Sequence, residues 1–189
     1  MNQAAVARLY LRIFLFTAIP FGVLIGLYDS ITFARTTSAI LGGIIAGVIF
    51  GALIAAFGGT RQVRAARAAV HTDASDPGLS QRARIHLPRS PQQSYALAQQ
   101  VLRSLPARIT TEDAATGRIT AQTPMSWQTF GETLTITVES DTPDTSSVLI
   151  ESHPRLRFTA VDYGTGRHYV ERIAATLIDL AARGRARPR

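Results

Sequence analysis

The chain has 189 residues, 46% of them apolar, no cysteine and a formal net charge of +7. That length holds a membrane part plus one soluble domain of about 100 residues, and the absence of cysteine excludes disulfide frameworks and thiolate metal sites. Every Lys/Arg position is arginine, the mark of GC-rich bacterial coding, and the charge sits at the ends: residues 1–72 carry +5, 73–81 carry −2, 82–183 carry +1 and 184–189 carry +3.

That distribution points to anionic lipid headgroups rather than nucleic acid. The first apolar block, Ile13 to Tyr28, reaches back to Leu9 if Arg12 snorkels; the second, Ala39 to Gly58, has no charge. Each approaches the ~20 residues a helix needs to cross a bilayer, so residues 1–59 are expected to form a transmembrane helical hairpin. The first block has no convincing cleavage site and is followed at once by the second, which favours an uncleaved anchor over a signal peptide. Pro20 is expected to kink it. Arg8, Arg12, Arg61, Arg64 and Arg67 flank the outer ends, while the connection holds Arg35 beside Asp29. The positive-inside rule then puts both termini and the soluble domain in the cytoplasm, on a bacterial inner membrane.

Small residues recur every four positions at Ala39, Gly43, Gly47, Gly51 and Ala55, and at Ala18, Gly22 and Gly26. Such stripes let backbones approach closely. They serve either the hairpin itself or an interface with a second membrane protein or another copy. Neither span carries an interior Asp, Glu, Lys or His, which argues against a pump or a voltage sensor.

Residues 60–83 read as a basic juxtamembrane segment and linker, with Arg61, Arg64 and Arg67 on one helical face toward lipid phosphates. Residues 84–183 read as a soluble α+β domain, and 184–189 as an Arg-rich tail. Strand candidates are Arg84–Leu87, Ala107–Thr111, Arg118–Gln122, Glu132–Glu139 and Ser147–Ser152. A helix opens at the capping box Ser90-Pro91-Gln92-Gln93, and another spans Arg167–Ala182. The order β-α-β-β-β-β-α predicts an antiparallel sheet with both helices on one face. Alternation along the fourth strand turns Leu134, Ile136 and Val138 to the core and leaves a threonine-rich outer face.

No chemistry is legible. His71, His86, His153 and His168 have no metal-site spacing, and there is no phosphate loop, nucleophile elbow or paired-carboxylate signature. The sequence therefore predicts no enzyme, no cofactor and no metal. The segment Ser152 to Arg172 concentrates charge, and Arg155, Arg157 and Arg167 are candidates for holding an anion near the start of the last helix; the alternative is an Asp162–arginine pair that pins the loop. Trp127 reads as a loop aromatic at a membrane or partner surface, or at the core edge.

The segment Arg157 to Gly164, with the β-α-β-β-β-β-α order before it, resembles a bacterial domain family of unknown function whose pattern runs Ser-Arg-x-Gly-x-x-Asp-x-Gly-x-Asn before its last helix. Arg157, Asp162 and Gly164 match, whereas Leu156, Thr159 and Gly166 depart. The resemblance implies a fold and no activity. The expectation that follows is a non-enzymatic accessory or scaffolding subunit whose hairpin packs with a partner or with itself and whose domain docks on a complex. The alternatives are a lipid- or anion-binding sensor and a small homo-oligomeric channel.

Overall fold

The computed structural model describes residues 3–33, 36–73, 78–126, 129–156, 159 and 161–183. Two long apolar helices, α1 (Gln3–Phe33) and α2 (Thr36–Ile54), pack antiparallel as a hairpin. Both are long and apolar enough to cross a membrane, and their outward side chains, such as Leu24, Ile31 and Leu53, are more than half exposed. α1 runs unbroken through Pro20. The small residues meet each other inside the hairpin. A Cβ placed on Gly43 would lie 2.6 Å from the Gly22 carbonyl oxygen, and one on Gly47 would lie 2.6 Å from that of Ala18. Gly26 faces Ala39 and Gly43, Gly51 faces Phe14 and Ala18, and Phe21 stacks on Phe50 at 4.2 Å.

Beyond α2 the helix widens into one π-helical turn, Ala55–Gly59, and resumes as α3 (Thr60–Arg67). A π turn bulges the backbone where a neighbour must be accommodated; here Tyr10 lies against Gly59 and Val161 against Gly58. Part of the expected linker is thus helical, and Arg61, Arg64 and Arg67 project exposed from α3.

The domain follows the predicted order. β1 (Gln81–Leu87), β2 (Arg108–Asp113), β3 (Arg118–Gln122), β4 (Glu132–Thr142) and β5 (Thr145–Pro154) form one antiparallel sheet in the order β1-β5-β4-β3-β2. Several strands are longer than the alternation implied. β1 starts at Gln81 because β5 pairs with it back to that residue, opposite Ser152, and Gln81 turns inward with Ala83, Ile85 and Leu87. α4 (Pro91–Ser104) and α5 (Thr165–Arg183) cover one face. Ser90 caps α4 by accepting from the Gln93 N–H at 3.4 Å. Leu134, Ile136, Val148 and Ile150 from the sheet meet Val101 and Leu102 of α4 and Ile173 and Leu177 of α5. The outer face carries Arg82, Arg84, His86 and Glu139, yet Thr135 in its middle is buried rather than open. It is flanked in register by Thr120 on β3 and Glu151 on β5.

Candidate functional site

Alternation on β4 puts Glu132 on the same inward face as Leu134 and Ile136. Its side chain is fully buried. Oε1 accepts from the Thr129 hydroxyl and Oε2 from the Ser152 hydroxyl, each at 3.1 Å. The second carboxylate, Asp162, comes from the loop that enters α5 and is 1% exposed. Its oxygens accept the backbone N–H groups of Gly164 at 2.9 Å and Gly166 at 3.1 Å, so it caps the N-terminus of α5, where the orphan donors and the helix dipole favour negative charge.

The two carboxylates converge at Gly166. A Cβ there would lie 3.1 Å from Asp162 Oδ2, 3.1 Å from Ser152 Oγ and 3.3 Å from Glu132 Oε2; the missing side chain is the space the pair occupies. Burial, then the Asp162 charge, pushes Glu132 up to about 7, with the two hydroxyls acting in the opposite sense. Burial also raises Asp162, against the two N–H groups and the nearby Arg167. The donors around Asp162 are fixed N–H groups, whereas those around Glu132 are hydroxyls that rotate to accept. The pair therefore keeps its charge on Asp162, and Glu132 carries the proton below about pH 7.

This pair sits one residue from the apolar helices. Val161 packs in a cluster with Leu9, Ile13, Ala55 and Val63. Tyr163 meets Phe57 edge-on at 6.0 Å, and Arg61 stacks over the same Phe57 at 5.2 Å. Gly164 lies against Ala65. Tyr163 (φ 54°) and Gly164 (φ 82°) are both left-handed, a conformation that costs a non-glycine residue about 1 kcal/mol or more and persists where the surroundings impose it.

The first turns of α5 hold the chain leaving α3. Glu171 accepts the backbone N–H groups of Val70, His71 and Thr72 at 2.8–3.1 Å and the Thr72 hydroxyl at 2.7 Å. Burial opposes its charge, but these donors outweigh it and hold Glu171 below the usual carboxylate range. Arg167, buried, donates to Thr72 Oγ1 at 2.6 Å and to the Asp73 carbonyl at 3.0 Å. Glu171→Ala should lower stability by about 1–2 kcal/mol and speed amide exchange at residues 70–72, with Glu171→Gln intermediate. Unchanged exchange in hydrogen–deuterium mass spectrometry would contradict this clamp.

The arginine reading needs correction here. Arg167 is turned inward onto Thr72 and Asp73, Arg155 is exposed with its stem against Gly131, and Arg157 lies outside the described residues, as does Trp127. Arg155 and Arg167 therefore do not form the anion site expected of them, because the carbonyl and hydroxyl of the 72–73 segment take the guanidinium of Arg167. Nor does an arginine pair alone pin the loop, since Asp162 is held mainly by backbone N–H groups. The paired carboxylates that sequence spacing did not reveal are present. Strand parity could have found Glu132, two positions before Leu134; nothing local in the sequence brings Asp162 to it.

No family model matches the chain, and no curated protein matches it. Among solved structures, it is similar to the di-domain ARO/CYC BexL of the BE-7585A biosynthetic pathway (15% identity, TM-score 0.42), over 58% of this chain and 48% of that one. It is also similar to a Thalictrum flavum norcoclaurine synthase point mutant solved with a transition-state analogue (10% identity, 56% of this chain and 95% of that one, TM-score 0.40). A third is a DUF4468 family protein from Bacteroides ovatus (16% identity, 56% and 80%, TM-score 0.27). The chain thus spans about half the length of the first of these. The exclusion of an enzyme drawn from the sequence is withdrawn, because it rested in part on the lack of paired carboxylates, and Glu132 and Asp162 form a buried pair. No reaction of these neighbours is assigned to this chain.

Proposed function

We propose that the chain is a membrane-anchored accessory subunit. α1 and α2 cross a bacterial inner membrane as a hairpin, both termini and the α+β domain lie in the cytoplasm, and the domain is held at a fixed height and angle for a partner. The observation that carries this reading is the interlock of Val161, Tyr163 and Gly164 with the helical segment from Ala55 to Ala65. A domain that merely hung from a flexible tether would not need it. From Ile13 to Ile31, α1 measures about 28 Å, close to the ~30 Å hydrocarbon core. In sequence, Arg8, Arg12, Arg61, Arg64 and Arg67 outside the two apolar runs outnumber Arg35 in the connection between them, which supports the orientation.

For the partner, the hairpin offers an apolar groove of about 560 Å³ between its two helices, bordered by Ile19, Val23, Leu27, Ile40, Ile44 and Val48. The glycine stripes face each other within the hairpin, which leaves the channel reading with less to stand on. The anion-sensing reading through Arg155, Arg157 and Arg167 loses Arg167 to the interior. Extraction of the tagged native chain into nanodiscs, followed by mass determination, tests the proposal. A stoichiometric second membrane protein is the expected result. A uniform assembly of this chain alone would overturn it.

A further inference from the structure

Two concavities share one arginine. Arg12 closes the upper end of an apolar groove of about 600 Å³ on the outer face of α1, where Leu15, Phe16 and Ile19 run below Arg8 and Arg12 at helical spacing. On its other side the same Arg12 borders a cleft of about 630 Å³ against the domain, lined by Ser80, His153, Leu156 and Thr159 among others. The groove walls are apolar and exposed, while the cleft holds hydroxyls, an imidazole and a guanidinium. Apolar below, cationic at the boundary and hydrogen-bonding above is the sequence of environments that a phospholipid presents in reverse.

Arg12 is exposed, and among the described residues no carboxylate lies in ion-pair range of it. Three exposed arginines among the described residues of the domain do have such partners: Arg84 with Glu139 at 2.7 Å, Arg103 with Glu112 at 3.3 Å and Arg183 with Asp179 at 2.8 Å. Arg8 gives its Nε–H to the Ala4 carbonyl at 3.2 Å, and its other donors add charge beside Arg12. His153 Nδ1 is hydrogen-bonded to Ser80 Oγ at 2.9 Å. When Nδ1 accepts the Ser80 hydroxyl, Nε2 carries the proton and can donate to a headgroup oxygen.

We infer that one anionic glycerophospholipid seats at this junction, its phosphate on Arg12 and Arg8, its headgroup in the cleft at Ser80 and His153, and an acyl chain along Leu15, Phe16 and Ile19. The guanidinium matches the phosphate as a bidentate donor, and at a bilayer surface its charge favours an anionic over a zwitterionic lipid. The lipid wedges between hairpin and domain. The inference rests on the membrane reading above.

The test uses the full chain reconstituted in vesicles of phosphatidylglycerol and phosphatidylcholine in equal amounts, floated, then released in mild detergent for native mass spectrometry. One phosphatidylglycerol per chain should be retained in preference to phosphatidylcholine. Arg12→Gln, which removes no hydrogen bond or ion pair among the described residues, should cut that retention about fivefold or more. His153→Ala should weaken it less, and Arg118→Gln on β3, exposed on the domain, should leave it unchanged. Equal retention of the two lipids, equal loss in Arg12→Gln and Arg118→Gln, displacement by inorganic phosphate, or a lipid-free dimer would each overturn the site. A chain that does not float would instead overturn the membrane reading beneath it; one that floats without preferring phosphatidylglycerol would overturn the lipid site alone.

Discussion

Gly43→Leu should separate the two apolar helices. The first atom of the new side chain would fall 2.6 Å from the Gly22 carbonyl oxygen and 3.0 Å from the Gly26 Cα and N. All three are backbone atoms, so no rotamer change relieves the clash and the helices must part or rotate. Overpacking of this kind costs about 3 kcal/mol, and in lipid the loss falls on dispersion contacts that nothing else replaces. Ile44→Leu, one residue on and 58% exposed, is the neutral control. Because the chain has no cysteine, a Phe21→Cys/Phe50→Cys pair reports the separation through a short thiol cross-linker; those rings stack at 4.2 Å in the parent. Cross-linking should be efficient in the parent and in Ile44→Leu, and should fall sharply in Gly43→Leu. Equal yields in all three would mean that the glycine contact does not hold the hairpin.

The second large effect concerns pH. Glu132 moves from an ordinary 4.5 to about 7 in the folded protein, so the native state binds more protons than the unfolded chain between those values. Stability contributed by this group is then full below about pH 4.5 and declines as pH rises through about 7. Over the whole window the loss is about 3 kcal/mol, since each pKa unit is worth about 1.4 kcal/mol. Glu132→Gln keeps the shape and can still bond the hydroxyls of Thr129 and Ser152 without ever ionising. It should therefore flatten the fall between about pH 5 and 8 and be the more stable protein at the alkaline end. Asp162→Asn acts differently. It removes the like charge that helps raise Glu132, weakening the pH dependence, and it weakens the cap on Gly164 and Gly166, costing about 1–2 kcal/mol at every pH. Denaturant melts of the three proteins across that range separate the two effects. Identical pH slopes for the parent and Glu132→Gln would show that the pair does not share its proton as argued.

The location of this pair gives its titration a mechanical consequence. Asp162 is bracketed by Val161 and Tyr163, both packed on the apolar helices, and it holds the start of α5, whose Arg167 and Glu171 hold residues 70–73. Ionising Glu132 therefore loads a loop that packs on the hairpin on both sides of Asp162.

Much of this architecture is local in origin and so readable from the chain. The hairpin follows from two uncharged apolar runs, the sheet from period-two alternation such as Leu134, Ile136 and Val138, and α4 from Ser90-Pro91-Gln92-Gln93, because each is decided by neighbours a few residues apart. The ends of strands were less legible: β1 extends to Gln81 because β5 supplies a partner for every residue back to it, which alternation alone does not state. The arginine cluster misled for a related reason. Two-residue spacing sets the parity of Arg155 and Arg157 on an extended chain, but whether Arg167 faces solvent or interior depends on the 72–73 segment, almost a hundred residues away in sequence. The carboxylate pair is the clearest case. Glu132 and Asp162 are 30 positions apart and share no motif, and their coupling exists only because β5 and the turn into α5 bring both to Gly166. By itself the sequence determined where the chain is apolar, which strands and helices it forms and where its charge lies, since these depend on residue type and period. The tertiary structure decided which charges are buried, which glycines touch and how the domain grips the hairpin, since these depend on contacts made across the whole chain.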